Sequence, residues 1–141
     1  MFNPSRDEAR RFLTEAWAKH RAGAPLSDLE GIVVRIVALH PEYHPLLEQP
    51  EKFAHRDYAP ESGETNPFLH LSLHLAIAEQ LAIDQPPGIR AQFERLRAAR
   101  GDEHAALHAV LECLGEVMWS AQRHGTPPDA KLYLDCLDRQ Q

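Results

Sequence analysis

The sequence predicts an all-α fold, namely a single helical bundle of five or six helices with a long loop before the central helix. Apolar residues recur at helical spacing along most of the chain, and helix-capping residues precede these runs. No segment alternates apolar and polar residues with the period of a strand. A length of 141 residues is typical of one domain, so residues 1–141 are assigned to a single helical domain.

Two amphipathic helices are predicted in the N-terminal part of the chain. The first helix has a capping box formed by Ser5 and Glu8, and Gly23 ends it. Ser27 and Glu30 form a second capping box, after which apolar residues recur until His40. Pro41 disfavours helical geometry at the residue before it, so the second helix should end or kink at His40.

The central helix is predicted over residues 66–83. Asn66 suits the N-cap, and Pro67 suits the first helical position, where its missing N–H removes no hydrogen bond. The helix is apolar almost all round, and His70 and His74 continue one of its apolar stripes. Burying two imidazoles there costs free energy unless their ring nitrogens have partners.

The remaining segments are a loop and three further helices. Residues 49–65 show no helical period and are predicted to be a long surface loop containing a short helix at residues 50–55. This loop would be the natural lid of a site. The later helices are predicted over residues 89–100, over residues 103–124 with Asp102 as N-cap, and after Asp129.

Composition excludes several classes of function. Fifteen Lys plus Arg against 21 Asp plus Glu give a net charge of −6, and the dispersed basic residues argue against nucleic-acid or membrane-surface binding. There is no signal sequence and no run of the roughly 18 apolar residues that cross a bilayer, so a cytoplasmic protein is predicted. Cys113 and Cys136 have no CxxC spacing and are predicted to be reduced thiols.

The histidines carry the main chemical signal. Nine are present, and three pairs have a spacing of four residues: His40 with His44, His70 with His74, and His104 with His108. On a helix this spacing places both rings on one face, where they can bind a single ion. The predicted metal ligands are His40, His44, His70, His74, His108 and Glu112, with Glu116 and His104 as second choices.

A donor set rich in imidazole suits one or two transition-metal ions, namely Fe, Zn or Mn. A redox-active ion with an open position would bind oxygen or peroxide, whereas zinc would be a structural staple or a Lewis acid for hydrolysis. The residues name no reaction, so enzymatic activity stays open. For His108 and Glu112 a solvated helix face is the alternative, because both lie away from the apolar arc of their helix.

The alternative function is a metal-free helical protein-interaction module. In that case the paired histidines form hydrogen-bonded networks, and the acidic surface contacts a protein partner or a second copy of the chain.

Four strings carry a resemblance: HPEYH at 40–44, ETNPFLHLSLHLAI at 64–77, QPPGIR at 85–90 and HAVLECLGEVMWSAQR at 108–123. They resemble a family of small bacterial proteins catalogued as a domain of unknown function, over nearly the full length. The resemblance implies a proteobacterial, cytoplasmic protein, and it implies no particular activity. The ligand mixture is also similar to that of hemerythrin-type and damage-inducible four-helix bundles, by analogy of ligand type and fold class.

Overall fold

A computed structural model describes the backbone of residues 4–53 and 66–141 and the side chains of residues 7–51 and 66–141. Every regular element in these ranges is helical, which confirms the all-α prediction. In chain order they are α1 (Pro4–Arg21), α2 (Asp28–Ala38), a 3₁₀ helix (Pro41–Tyr43), α3 (His44–Glu48), α4 (Pro50–Phe53), α5 (Pro67–Ile83), α6 (Ile89–Arg100), α7 (Glu103–His124) and α8 (Ala130–Arg139). The predicted number of five or six helices is not confirmed, because the described ranges contain eight α-helical segments.

Four of the predicted caps lie at helix starts, whereas α1 already begins at Pro4, before the capping box predicted at Ser5 and Glu8. The Ser27 hydroxyl accepts from the backbone N–H of Glu30, and the Glu30 carboxylate accepts from that of Ser27, which completes the predicted capping box. The side chain of Asn66 accepts from the N–H of Leu69 at 3.1 Å, so α5 begins where the sequence predicts. Asp129 likewise caps α8 through its side chain.

Removal of the cap of α7 should destabilise the protein measurably. The Asp102 carboxylate accepts from the N–H of Ala105 at 2.9 Å, and its charge favours the positive end of the helix dipole. We expect Asp102→Ala to lower the free energy of unfolding by about 1 kcal/mol, measured by urea denaturation. Asp138→Ala, which removes an exposed carboxylate from the end of α8, is the control and should change that free energy by less than about 0.5 kcal/mol. Equal effects of the two substitutions would contradict the capping role.

Part of the predicted loop over residues 49–65 is described. Helix α4 occupies the region where a short helix is predicted. Residues 54–65, with His55, lie outside the described residues, so the predicted long loop and its role as a lid stay predictions.

The chain divides into two compact units, Met1–Leu75 and Ala76–Gln141. In the first unit, α1 packs against α2 and α3. The Trp17 indole N–H donates to the Glu48 carboxylate at 3.1 Å. The buried core consists of Leu13, Ala16, Trp17, Val33, Val37, Leu47, Phe68 and Leu71. The assignment of residues 1–141 to one domain stays a prediction.

In the second unit, α6, α7 and α8 pack against one another. The Tyr133 hydroxyl donates to the Gln80 side-chain oxygen at 2.7 Å, and burial raises the pKa of Tyr133 above its usual value. The fully buried aliphatic side chains of this unit include Ile77, Ile89, Leu96, Val110 and Leu137. Among the described residues, no helix combines the length and the apolarity that crossing a bilayer requires.

The prediction of reduced cysteines is wrong. Cys113 on α7 and Cys136 on α8 form a disulfide, and both residues are buried in the second unit. Packing of α8 against α7 brings their Cα atoms to 5.7 Å, within the range a disulfide can bridge. The sequence separation of 23 residues gave no sign of this pairing, because the pairing depends on how two helices dock.

Candidate metal centre

His40 is held between two helices and points inward. Helix α2 ends at Ala38 and the 3₁₀ helix begins at Pro41, so His40 has a non-helical backbone, as Pro41 predicts. Its side chain is buried, and its Nδ1 lies 2.8 Å from the carbonyl oxygen of Ile36. A carbonyl can only accept, so Nδ1 carries the proton and, in the neutral ring, Nε2 keeps its lone pair.

His70 and His74 lie one turn apart on α5. Their ring centroids are 4.9 Å apart, as the four-residue spacing predicts for one helix face. His74 is buried and His70 is half-buried. The cap at Asn66 sets the start of this helix, so it also sets the positions of both rings.

His40, His70 and His74 form a compact cluster within the first unit, here called the histidine triad. The ring centroid of His40 is 4.9 Å from that of His70 and 4.7 Å from that of His74. The Nε2 atoms of His40 and His70 are 3.2 Å apart. Imidazoles from two separate segments of the chain therefore meet with their nitrogens facing one another.

Tyr43 packs against the triad, and sequence reasoning missed it. Its ring stacks on that of His40 with an interplanar angle of 7° and a centroid distance of 5.6 Å, and it lies 5.9 Å from the ring of His70. Burial, and secondarily the charge of Glu42, raise the pKa of Tyr43, which keeps the phenol neutral. The available signal was its position three residues after His40, within the HPEYH string.

His44 contacts residues outside the triad. Its Nε2 lies 2.9 Å from the carbonyl oxygen of Val37, so this nitrogen donates, and its ring centroid is 4.5 Å from that of Trp17. His44 thus packs on α1, although it is only four residues from His40. Its assignment as a ligand stays a prediction.

The second unit has a histidine pair of its own on α7. His104 and His108 are half-buried on α7, with ring centroids 4.2 Å apart. Glu112, the predicted carboxylate ligand, is exposed to solvent one turn further along the helix. Glu116 is also exposed, and one of its carboxylate oxygens lies 3.4 Å from the Cys136 sulfur. The predicted role of Glu112 stays a prediction.

The other described histidines lie at the surface. His20 is exposed in the last turn of α1, with its ring centroid 5.1 Å from that of Trp17. His124 is exposed at the end of α7, where its Nδ1 donates to the carbonyl oxygen of Ser120 at 2.9 Å.

Comparison with known proteins identifies a family. No curated protein and no solved structure matches the chain. The family described as "Domain of unknown function (DUF1841)" matches residues 5–139, which is nearly the whole chain. The chain therefore belongs to the DUF1841 family of domains of unknown function.

Proposed function

We propose that this protein binds a transition-metal ion through its clustered histidines, with the triad as the principal ligands. The observation that carries the proposal is the approach of His40 Nε2 to His70 Nε2, at 3.2 Å. Two imidazole nitrogens bound to one tetrahedral zinc ion at its usual bond length lie about 3.3 Å apart. The hydrogen bond from His40 Nδ1 to the carbonyl oxygen of Ile36 also supports the proposal, because a metal-binding histidine usually donates the N–H of its other ring nitrogen in this way.

The choice of ion follows from the donor atoms. All three members of the triad offer imidazole nitrogens. The predicted ligand role of His108, with His104 as second choice, stays a prediction. A neutral imidazole set suits zinc or iron better than manganese, which prefers carboxylate oxygens.

Two predicted ligands lie outside the triad, and their ligand roles stay predictions. One ring nitrogen of His44 is engaged with a backbone carbonyl, and Glu112 is exposed to solvent. The proposed ion would supply Lewis-acid chemistry if it is zinc and electron transfer if it is iron. The bacterial and cytoplasmic setting that the resemblance implies stays a prediction, and the disulfide between Cys113 and Cys136 favours an oxidising compartment instead.

The metal-free interaction module is the competing function. A distance of 3.2 Å between the Nε2 atoms of His40 and His70 also fits an N–H···N hydrogen bond. In that case the triad is a structural network in the core of the first unit, and the acidic protein, with its net charge of −6, contacts a partner through its surface.

Elemental analysis of protein purified without a histidine tag separates the two functions. We expect about one ion per chain as isolated, or after reconstitution with Zn(II) or anaerobic Fe(II), together with a higher melting temperature, because an ion that binds only the folded state stabilises it. Mg(II) is the control ion and should neither bind stoichiometrically nor raise the melting temperature, since it prefers oxygen ligands. Substoichiometric metal that does not rise on reconstitution would favour the interaction module.

A further inference from the structure

We infer that two copies of this chain associate through the C-terminal half of α7, which pairs antiparallel with α7 of the other copy across a two-fold axis. The residues that carry the association, here called the α7 face, recur at steps of one, three or four positions and share one side of the helix: Glu112, Gly115, Glu116, Trp119 and Arg123. All five lie in the second unit and none belongs to the triad, so association through this face is independent of the proposed metal binding.

The centre of the α7 face is apolar and open to solvent. Trp119 is 60% exposed, and the neighbouring Met118 is 40% exposed. The guanidinium of Arg123 lies over the Trp119 ring, 5.1 Å from its centroid. Tryptophan, methionine and arginine are residue types that protein interfaces favour, and tryptophan and arginine are enriched at their hot spots. Burial of the large indole ring against a second surface is therefore favourable.

A gap in the side chains lies one turn before Trp119. Gly115 has no side chain, and among the described residues a Cβ added there would meet no heavy atom within 4 Å beyond its chain neighbours and the backbone of its own helix. Because Gly115 precedes Trp119 by four residues, the gap and the indole lie on the same side of α7. A second helix can therefore approach closely at Gly115, and an indole that it carries can fill the gap.

The charges of the α7 face are arranged for antiparallel pairing with an identical helix. Glu112 is exposed at the N-terminal end of the face, and Arg123 is exposed at its C-terminal end. Along the helix axis, the midpoint between these two residues coincides to within about 1 Å with the midpoint between Gly115 and Trp119. A two-fold axis at that point places each Arg123 opposite Glu112 of the other copy. The same axis places each Trp119 beside Gly115 of the other copy.

This self-complementary pattern favours a second copy of the chain as the occupant of the face. Parallel pairing would instead place Glu112 opposite Glu112 and Arg123 opposite Arg123, which like-charge repulsion disfavours. The antiparallel arrangement is the isologous contact of a two-fold dimer, the commonest symmetry of protein oligomers. A face of about three helical turns is smaller than the interface of a permanent dimer, so we expect a dissociation constant on the order of 100 µM.

Sedimentation equilibrium of the purified full-length protein, from about 5 µM to about 1 mM, tests the association. We expect a monomer–dimer equilibrium, and Trp119→Ala should raise its dissociation constant by at least about tenfold, equivalent to about 1.4 kcal/mol. Leu69→Ala is the matched control, because Leu69 is 55% exposed and lies outside the α7 face, and it should change the constant by less than about twofold. A wild-type chain that is monomeric at the highest concentration, or a Trp119→Ala variant that dimerises as the wild type does, would overturn the inference.

Exchange of the two charges tests the antiparallel pairing. Glu112→Arg and Arg123→Glu should each weaken the dimer by at least about threefold, because each substitution places like charges opposite one another. The double variant restores opposite charges and should dimerise more tightly than either single variant. Glu103→Arg makes the same change of net charge at an exposed position in the first turn of α7, outside the face, and should not weaken the dimer. A double variant in which the two losses add up would also overturn the inference.

Discussion

Replacement of both His70 and His74 by alanine should abolish stoichiometric metal binding. The two rings are one turn apart on α5, and with His40 they make up the triad, so the double variant leaves only one of its three imidazoles. Loss of a single supporting partner of a metal ligand already costs tenfold to a hundredfold in affinity. We therefore expect the loss of two direct ligands to lower metal affinity by more than about a hundredfold.

The measurement is metal content after dialysis against Zn(II), combined with thermal unfolding. If the ion is structural, the double variant should lose metal together with a large part of its thermal stability. If the ion is catalytic, the double variant should lose metal but be only modestly destabilised. The control is His124→Ala, which removes an exposed histidine bonded only locally to Ser120 and should keep full metal content. A folded double variant that binds metal as the wild type does would refute the proposed ligand set.

Reduction of the Cys113–Cys136 disulfide should lower the free energy of unfolding by about 3.4 kcal/mol, the chain-entropy estimate for a sequence separation of 23 residues. The bond joins α7 to α8, so the reduced chain gains freedom on unfolding that the oxidised chain lacks. Urea denaturation with and without a dithiol reductant measures the difference. The oxidised protein should show no free thiol when denatured, and the reduced protein should show two.

A double variant isolates the contribution of the bond. Cys113→Ala with Cys136→Ala should be less stable than the oxidised protein, and its denaturation midpoint should not respond to the reductant. Two free thiols in protein purified without reductant would contradict the disulfide. A wild-type denaturation midpoint that the reductant leaves unchanged would show that the bond contributes little to stability.

Local signals in the sequence predict the helices well. Capping residues act through hydrogen bonds to backbone N–H groups two or three positions away, so Ser27, Asn66, Asp102 and Asp129 mark helix starts without reference to the rest of the chain. For α7, both Asp102 and the glycine at its end give the predicted bounds. The number of helices and the way they pack depend on contacts between residues that are distant in the sequence. Local sequence signals do not predict such contacts.

The candidate centre illustrates the same limit. The four-residue spacing of His70 and His74 predicts that both rings share a face of α5, because a helix has a fixed pitch. The same spacing misleads at His40 and His44, since Pro41 interrupts the helix between them and the two rings have different neighbours. Tyr43 joins the triad through the 3₁₀ helix that follows this break.

The sequence by itself determined the all-α class, the starts of α2, α5, α7 and α8, and the placing of His70 with His74 on one helix face, because each depends on backbone interactions within a few residues. Tertiary structure alone decided that His40 meets His70 and His74, that Cys113 bonds to Cys136, and that His44 packs against Trp17. These contacts join positions far apart along the chain, and docking of whole helices through their buried apolar faces sets the distances between them.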